Sequence, residues 1–206
     1  EFLGKECTKR NIIMHTDATQ YINNSSISWK NMSMDFLSAS AHKFQGPRGI
    51  GILLVKKNSF KKLRPLFNGG QQENGFRSGT QSVDLIAGMD LALKMKNSFI
   101  NVKDKSYCKS IYVKELTQKL RNNLKNIGNI HFTGDPSNRL SNHISMLIGD
   151  SNNKPISGRS IVLELSKQGV YASNGNACSS SNKHTSHVLQ AINVKPDWQK
   201  SALRLS

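Results

Sequence analysis

The stretch Ser38-Ala39-Ser40-Ala41-His42-Lys43-Phe44-Gln45-Gly46-Pro47-Arg48-Gly49-Ile50-Gly51 constrains the fold of this chain more than any other. A lysine follows a histidine and two small hydroxyl residues, and a Gly/Pro turn then leads into the apolar run 50–55. Gly46-Pro47 and Gly49 impose turns, while small residues let the backbone come close to a bound group. The Lys43 amine is therefore expected on a short rigid segment between two strands. By itself the stretch is equally compatible with a solvated Lys-Phe loop, because short motifs recur by chance.

Upstream, residues 11–20 (Asn-Ile-Ile-Met-His-Thr-Asp-Ala-Thr-Gln) read as a short buried strand, with its apolar part at 12–14. That strand would deliver Asp17 and Gln20 at its carboxyl end, where ligands of open α/β sheets sit. A carboxylate and a lysine on adjacent strand ends are what pyridoxal phosphate requires. The lysine holds the aldehyde as a Schiff base, and the acid keeps the pyridine nitrogen protonated.

These two segments are followed in order by Gly69-Gly70-Gln71-Gln72-Glu73-Asn74-Gly75-Phe76-Arg77-Ser78-Gly79-Thr80, Gly175-Asn176-Ala177-Cys178 and Ala202-Leu203-Arg204-Leu205-Ser206. Together they resemble the class I cysteine desulfurases, pyridoxal 5'-phosphate enzymes of the class V aminotransferase superfamily. The related selenocysteine lyases share most of these motifs. The resemblance runs from near the first residue to the last and implies an α/β fold: part of the large doubly wound domain of a fold-type I pyridoxal-phosphate enzyme, then a small α+β domain.

The resemblance also implies roles. Lys43 would be the Schiff-base lysine, Asp17 the partner of the pyridine nitrogen and Gln20 a donor to the ring hydroxyl. Ser40 and His42 would contact the phosphate, with His42 beside the catalytic Lys43, and Thr80 would reach the phosphate in the partner subunit of a homodimer. Arg204 would grip the substrate carboxylate, which a planar bidentate guanidinium does better than an ammonium. Cys178 would take sulfur from L-cysteine as a persulfide, leaving L-alanine, and pass it to a sulfur-acceptor or scaffold protein of iron–sulfur or thiolation pathways. Gln71, Asn74 and Asn176 stand where the family has a glycine, an arginine and a serine, and none of these changes removes a group from the mechanism. The family's N-terminal half, with a glycine-threonine phosphate cradle, a ring-stacking histidine and an asparagine, has no counterpart in this sequence. The chain alone is therefore expected to be inactive. Preference for cysteine or selenocysteine stays open, as does a non-catalytic basic binding fragment.

Cys178 follows Ser173-Asn174-Gly175-Asn176-Ala177, a loop of small polar residues unlike the surroundings of a buried structural cysteine. An active thiol must ionise from a free value of about 8.5. A lone loop cysteine is weak evidence on its own, and the family motif is what favours the reactive role. Cys7 and Cys108 have no such context. The three cysteines show no paired spacing, so neither a disulfide framework nor a zinc site is indicated, and a reducing cytoplasm fits best. His15, His131, His143, His184 and His187 lack ligand spacing apart from the His184/His187 pair, so no metal is expected.

The formal charge of +16, from 29 Lys+Arg against 13 Asp+Glu, raises the question of nucleic acid or an anionic membrane. The lysines are scattered, as in Lys56-Lys57 and Lys61-Lys62, without zinc-finger spacing, a basic helix or an aromatic-rich RNA-binding motif. A solvated basic surface is the simpler reading. No stretch approaches the ~20 apolar residues of a membrane span, and no apolar signal region opens the sequence.

Further strands are expected at 35–38 and 49–55, with a basic hairpin or loop over 56–67. Amphipathic helices should follow, one from Ser82 through Val83, Ile86, Met89, Leu91, Leu93 and Met95, the other through Ile111, Val113, Leu116, Leu120 and Leu124, with both apolar stripes in the core. Strands at 130–132 and 143–148, a helix over 158–168 and a strand at 170–172 suggest the small α+β domain. The boundary is expected near residue 100, giving domains 1–100 and 101–206.

Overall fold

The structure is a computed structural model that describes residues 2–25, 27–100, 109–174 and 186–206. The chain divides into two compact units, residues 1–109 and 110–206.

In the first unit, helix α1 (Phe2–Lys9) leads to strand β1 (His15–Asp17), the short helix α2 (Tyr21–Asn24), strands β2 (Phe36–Ser40) and β3 (Gly51–Val55), and helix α3 (Val83–Ile100). The sheet order is β1-β2-β3, with β1 parallel to β2 and β3 antiparallel to β2. The connection from β2 to β3 is too short for a crossover, and a short return pairs strands antiparallel. Period-2 alternation buries Leu37 and Ala39 on one face of β2, where they pack with Ala18, Ile22, Ala41, Phe44 and Ala92. Ser38 and Ser40 project to the opposite face. Gly51 lies against β2, where a side chain would come within 2.6 Å of the Ala39 carbonyl.

Several expectations shift. The first strand begins at His15, not within 12–14, and Ile12 and Ile13 are 53% and 52% exposed. Pairing cannot start earlier because the Met14 amide donates to the Asp35 carboxylate at 2.9 Å, while the Met14 carbonyl accepts from the amides of Asp35 and Phe36. Gln20 accordingly stands past the strand, at the start of α2. The basic segment 56–67 is not a hairpin but contains a 3-10 helix, Lys57–Lys62. Only part of the α3 stripe is core: Ala92 is buried with Met89 and Leu93 against it, whereas Val83, Leu91 and Met95 are exposed.

The second unit holds α4 (Lys109–Lys125), β4 (Ile130–Phe132), β5 (Ile144–Ile148), α5 (Gly158–Lys167), α6 (His187–Ala191), α7 (Pro196–Gln199) and β6 (Ala202–Leu205). Its sheet, β4-β5-β6, is wholly antiparallel. Ile144, Met146 and Leu203 form the core of one face with Ile161, Val162 and Leu165 of α5, and Leu147 and Ala202 pack with Leu189, Val194 and Trp198. Of the α4 stripe, Leu124 joins the first cluster, while Leu116 and Leu120 are exposed. Gly158 opens α5 where a Cβ would collide with the Ala202 carbonyl. Residues 170–172 form no strand; Val170 and Tyr171 are exposed, and only Ser173 bridges to Arg204. Among the described residues no helix is long and apolar enough to cross a membrane.

Candidate active site

The parallel pairing of β1 with β2 makes Asp17 the register partner of Ser38. The Ala18 amide donates to the Ser38 carbonyl at 2.8 Å, which ties the chain beyond Asp17 to β2. Across the same pair, His15 Nε2 lies 3.0 Å from Ser38 Oγ. The Asp17 carboxylate is exposed and accepts the Thr19 amide at 2.9 Å. The Thr19 hydroxyl first and its amide second, with a smaller effect of His15, hold the Asp17 carboxyl below its ordinary range. Among the described residues no lysine, arginine or histidine forms an ion pair with Asp17.

At the carboxyl end of β2 the chain turns from Ser40 into a 3-10 helix, Ala41–Phe44. Residues three apart eclipse in such a turn, and Ala41 and Phe44 are both buried in the core, at 0% and 2% exposure. That anchoring leaves His42 and Lys43 exposed. Gln45 closes the turn in the left-handed region at φ 68°, and the Gly46 amide donates to the Ala41 carbonyl at 2.9 Å. A Cβ on Gly46 would come within 2.9 Å of the Ala41 Cβ, so the turn closes this tightly only with glycine. Lys43 forms no ion pair among the described residues.

Asp17, Ser40, His42 and Lys43 thus gather at the carboxyl ends of two adjacent strands. Gln20 and Thr80 are exposed in the same unit and, among the described residues, make no side-chain hydrogen bond to that group. Thr80 ends a loop braced by its own polar side chains. Ser78 Oγ donates to the carbonyls of Phe67 and Asn68 at 3.2 and 3.3 Å, the Gly79 amide donates to Gln72 Oε1 at 3.2 Å, and Gln81 Nε2 donates to Glu73 Oε1 at 3.1 Å. Glu73 and Asn74 sit consecutively at positive φ, 51° and 56°. Arg204 belongs to the second unit, on β6 opposite Ser145, and its backbone exchanges hydrogen bonds with Ser173 at 2.7 and 3.1 Å. Cys178 with its motif, Cys108 and His184 lie outside the described residues; His187 opens α6.

Thr19 was not among the sequence candidates. Its signal was nonetheless local, because an aspartate two residues before a free amide and hydroxyl readily forms such a turn.

The whole chain, residues 1–206, matches the family model described as aminotransferase class-V. It is 35% identical over 204 residues to a cysteine desulfurase IscS of Methanosarcina thermophila, covering 99% of this chain and 47% of that protein. With a cysteine desulfurase IscS of Dictyoglomus turgidum the identity is 36% over 208 residues, covering 99% and 49%. The crystal structure of a NifS-like protein from Rickettsia africae superimposes with a TM-score of 0.81 at 27% identity, covering 98% of this chain and 50% of that one. The chain therefore spans about half the length of the curated relatives it matches. With the match extending over every residue and the fold of a NifS-like protein beneath it, this chain belongs to the aminotransferase class-V family, whose members depend on pyridoxal 5'-phosphate.

Proposed function

We propose that this chain is the part of a pyridoxal-phosphate-dependent cysteine desulfurase that carries the cofactor lysine, the sulfur-accepting cysteine and the substrate arginine. The observation that carries the reading is the parallel register of β1 and β2, with Asp17 opposite Ser38 and with Ser40, His42 and Lys43 following at the same end. The donor chemistry fits the cofactor: a carboxylate held below its ordinary range and in no ion pair among the described residues, an exposed amine, and a hydroxyl and an imidazole for a phosphate.

In this reading Asp17 accepts the hydrogen bond of the pyridine nitrogen, and Thr19 keeps that carboxylate ionised. Ser40 and His42 hold the phosphate, Gln20 donates to the ring hydroxyl, and Thr80 serves the phosphate of the second subunit in a homodimer. When bound, pyridoxal phosphate supplies the electron sink that makes proton removal at the substrate Cα feasible. Lys43 takes that proton, and Arg204 holds the L-cysteine carboxylate. The Cys178 thiolate attacks the substrate sulfur: an S–S bond forms, the Cβ–S bond breaks with its electron pair going to Cβ, and protonation there leaves L-alanine. The persulfide on Cys178 then passes to an acceptor protein of iron–sulfur or thiolation pathways. A free thiol chemistry of this kind belongs in a reducing, cytoplasmic setting.

The test uses the full-length protein with L-cysteine. Equal amounts of alanine and sulfide are expected in the presence of a reductant, and Cys178→Ala should lose both while the cofactor absorbance stays. Alanine formed from selenocysteine but not from cysteine would reassign the chain to the lyases, and full activity of Cys178→Ala would overturn the assigned role.

A further inference from the structure

One corner of the second unit is rich in nitrogen donors and poor in free acceptors. Thr133, directly after β4, donates its amide to the Ser145 carbonyl at 2.9 Å and its hydroxyl to Ser145 Oγ at 2.7 Å. Ser145 is the register partner of Arg204, so these residues share one face of the sheet. His143 immediately precedes β5, and Arg139 reaches into the same corner from the loop after β4. Arg139 donates from one terminal nitrogen to the Thr133 carbonyl at 3.2 Å and from the other to His143 Nδ1 at 3.0 Å.

That last contact fits one state of the imidazole. A guanidinium has donors and no acceptor, so Nδ1 must be the bare acceptor nitrogen; the ring is neutral and its proton is on Nε2. Burial first, then the charges of Arg139 and Arg204, hold His143 below its ordinary value in the same sense. Three sets of donors remain. Arg139 Nε is buried and has no partner among the described residues. His143 Nε2 and the Arg204 guanidinium likewise have neither a hydrogen-bond nor an ion-pair partner among the described residues.

The neighbouring charges do not fill this gap. Asp135 acts on Arg139, but its oxygens already accept from the amides of Ser137 and Asn138 and from the Asn138 side chain. Arg121, which stacks on Phe132 at 4.1 Å, adds positive charge. Donors left unpaired in this way are costly until an acceptor arrives, and an anion is the acceptor that suits a cationic corner.

We propose that Arg139, His143 and Arg204 form one anion site in which His143 Nε2–H is a second donor, beside the Arg204 guanidinium, to the carboxylate of an α-amino acid. The proposal rests on Arg204 being the carboxylate-holding arginine. His143 adds a donor without adding a charge that Arg204 would repel, and Arg139 is a positioning residue that acts by locking the His143 tautomer.

The experiment is nitrogen-15 NMR of the histidine rings in the full-length protein, with L-alanine as the probe, alongside calorimetric binding of L-alanine to variants. His143 should be the neutral Nε2–H tautomer near pH 7, Arg139→Gln should lose that single tautomer, and L-alanine should move the Nε2 resonance. Removing one charge-assisted bond with His143→Ala should weaken binding about tenfold, and His143→Gln, which keeps an N–H donor, should recover part of the loss. Unchanged binding in His143→Ala, with Arg204→Gln still weakened, overturns the His143 role and leaves the Arg204 assignment standing. Unchanged binding in Arg204→Gln overturns both. If a variant fails to fold, the wild-type spectrum decides, since an Nδ1–H tautomer or an imidazolium at neutral pH refutes the proposal.

Discussion

Asp35 is the residue whose loss should most disturb the geometry behind the candidate site. Its carboxylate accepts the Met14 amide at 2.9 Å and the hydroxyl of Ser59, a side chain only 2% exposed, with Lys62 at 3.8 Å. It thereby joins the residue before β1, the start of β2 and the 3-10 helix Lys57–Lys62, and so fixes where the β1–β2 register begins. Hydrogen bonds to a charged acceptor contribute about 1.5–3 kcal/mol each, and a buried hydroxyl left unpaired costs in the same range. Because the Asp35 side chain remains 24% exposed and water can replace part of the loss, the lower end applies. Asp35→Ala should then destabilise by about 3 kcal/mol, with Lys62 contributing less than about 0.5 kcal/mol of it. Urea unfolding followed by circular dichroism at constant m-value measures this. The double variant with Ser59→Ala should show a coupling of about 1 kcal/mol or more. The Ser59 and Met14 hydrogen bonds hold the carboxyl below its ordinary value. Its contribution is therefore fully present above the unfolded carboxylate pKa and is lost as pH falls through the lower folded value. Asp35→Asn should flatten that acid limb. A change within about 0.5 kcal/mol for Asp35→Ala, with an unaltered acid limb, would refute the reasoning.

Three further outcomes are expected. Borohydride reduction of the protein with pyridoxal phosphate, followed by peptide mapping, should label Lys43; a label elsewhere with Lys43 unmodified would remove its assigned role. Gly158→Ala should destabilise by about 1–3 kcal/mol in thermal or urea melts, because the new methyl meets the Ala202 carbonyl, and a neutral result would mean that α5 does not press on β6 as closely as this. The 206-residue chain alone should form no alanine from cysteine above free pyridoxal phosphate, and adding the remaining half of the protein should restore turnover, since catalysis depends on both walls of the site holding the reactants. Turnover by the chain alone at the rate of the full-length protein would contradict this.

The parts legible in the sequence were those whose physics is local. The short rigid segment that carries Lys43 between β2 and β3 with a turn at Gly46, the strand expected over 49–55 and found at Gly51–Val55, and the helix expected over 158–168 and found at Gly158–Lys167 each follow from a few contiguous residues and their backbone preferences. The motif order identified the family for the same reason, because each motif is a short contiguous segment. What tertiary structure decided was pairing over distance. The start of β1 depends on Asp35, 21 positions after the Met14 amide it accepts, and neither residue announces the contact. The apolar faces of α3 and α4 have helical spacing, yet which of their side chains are covered depends on what packs against them, and periodicity carries no information about that. Likewise His143 shows no ligand spacing in the sequence. Its neighbourhood exists only because the β4–β5–β6 ladder brings Thr133, Ser145 and Arg204 together and Arg139 reaches the Thr133 carbonyl and the imidazole. Hydrogen-bond partners in a folded sheet are set by strand register, and register is a property of the assembled ladder rather than of any one strand.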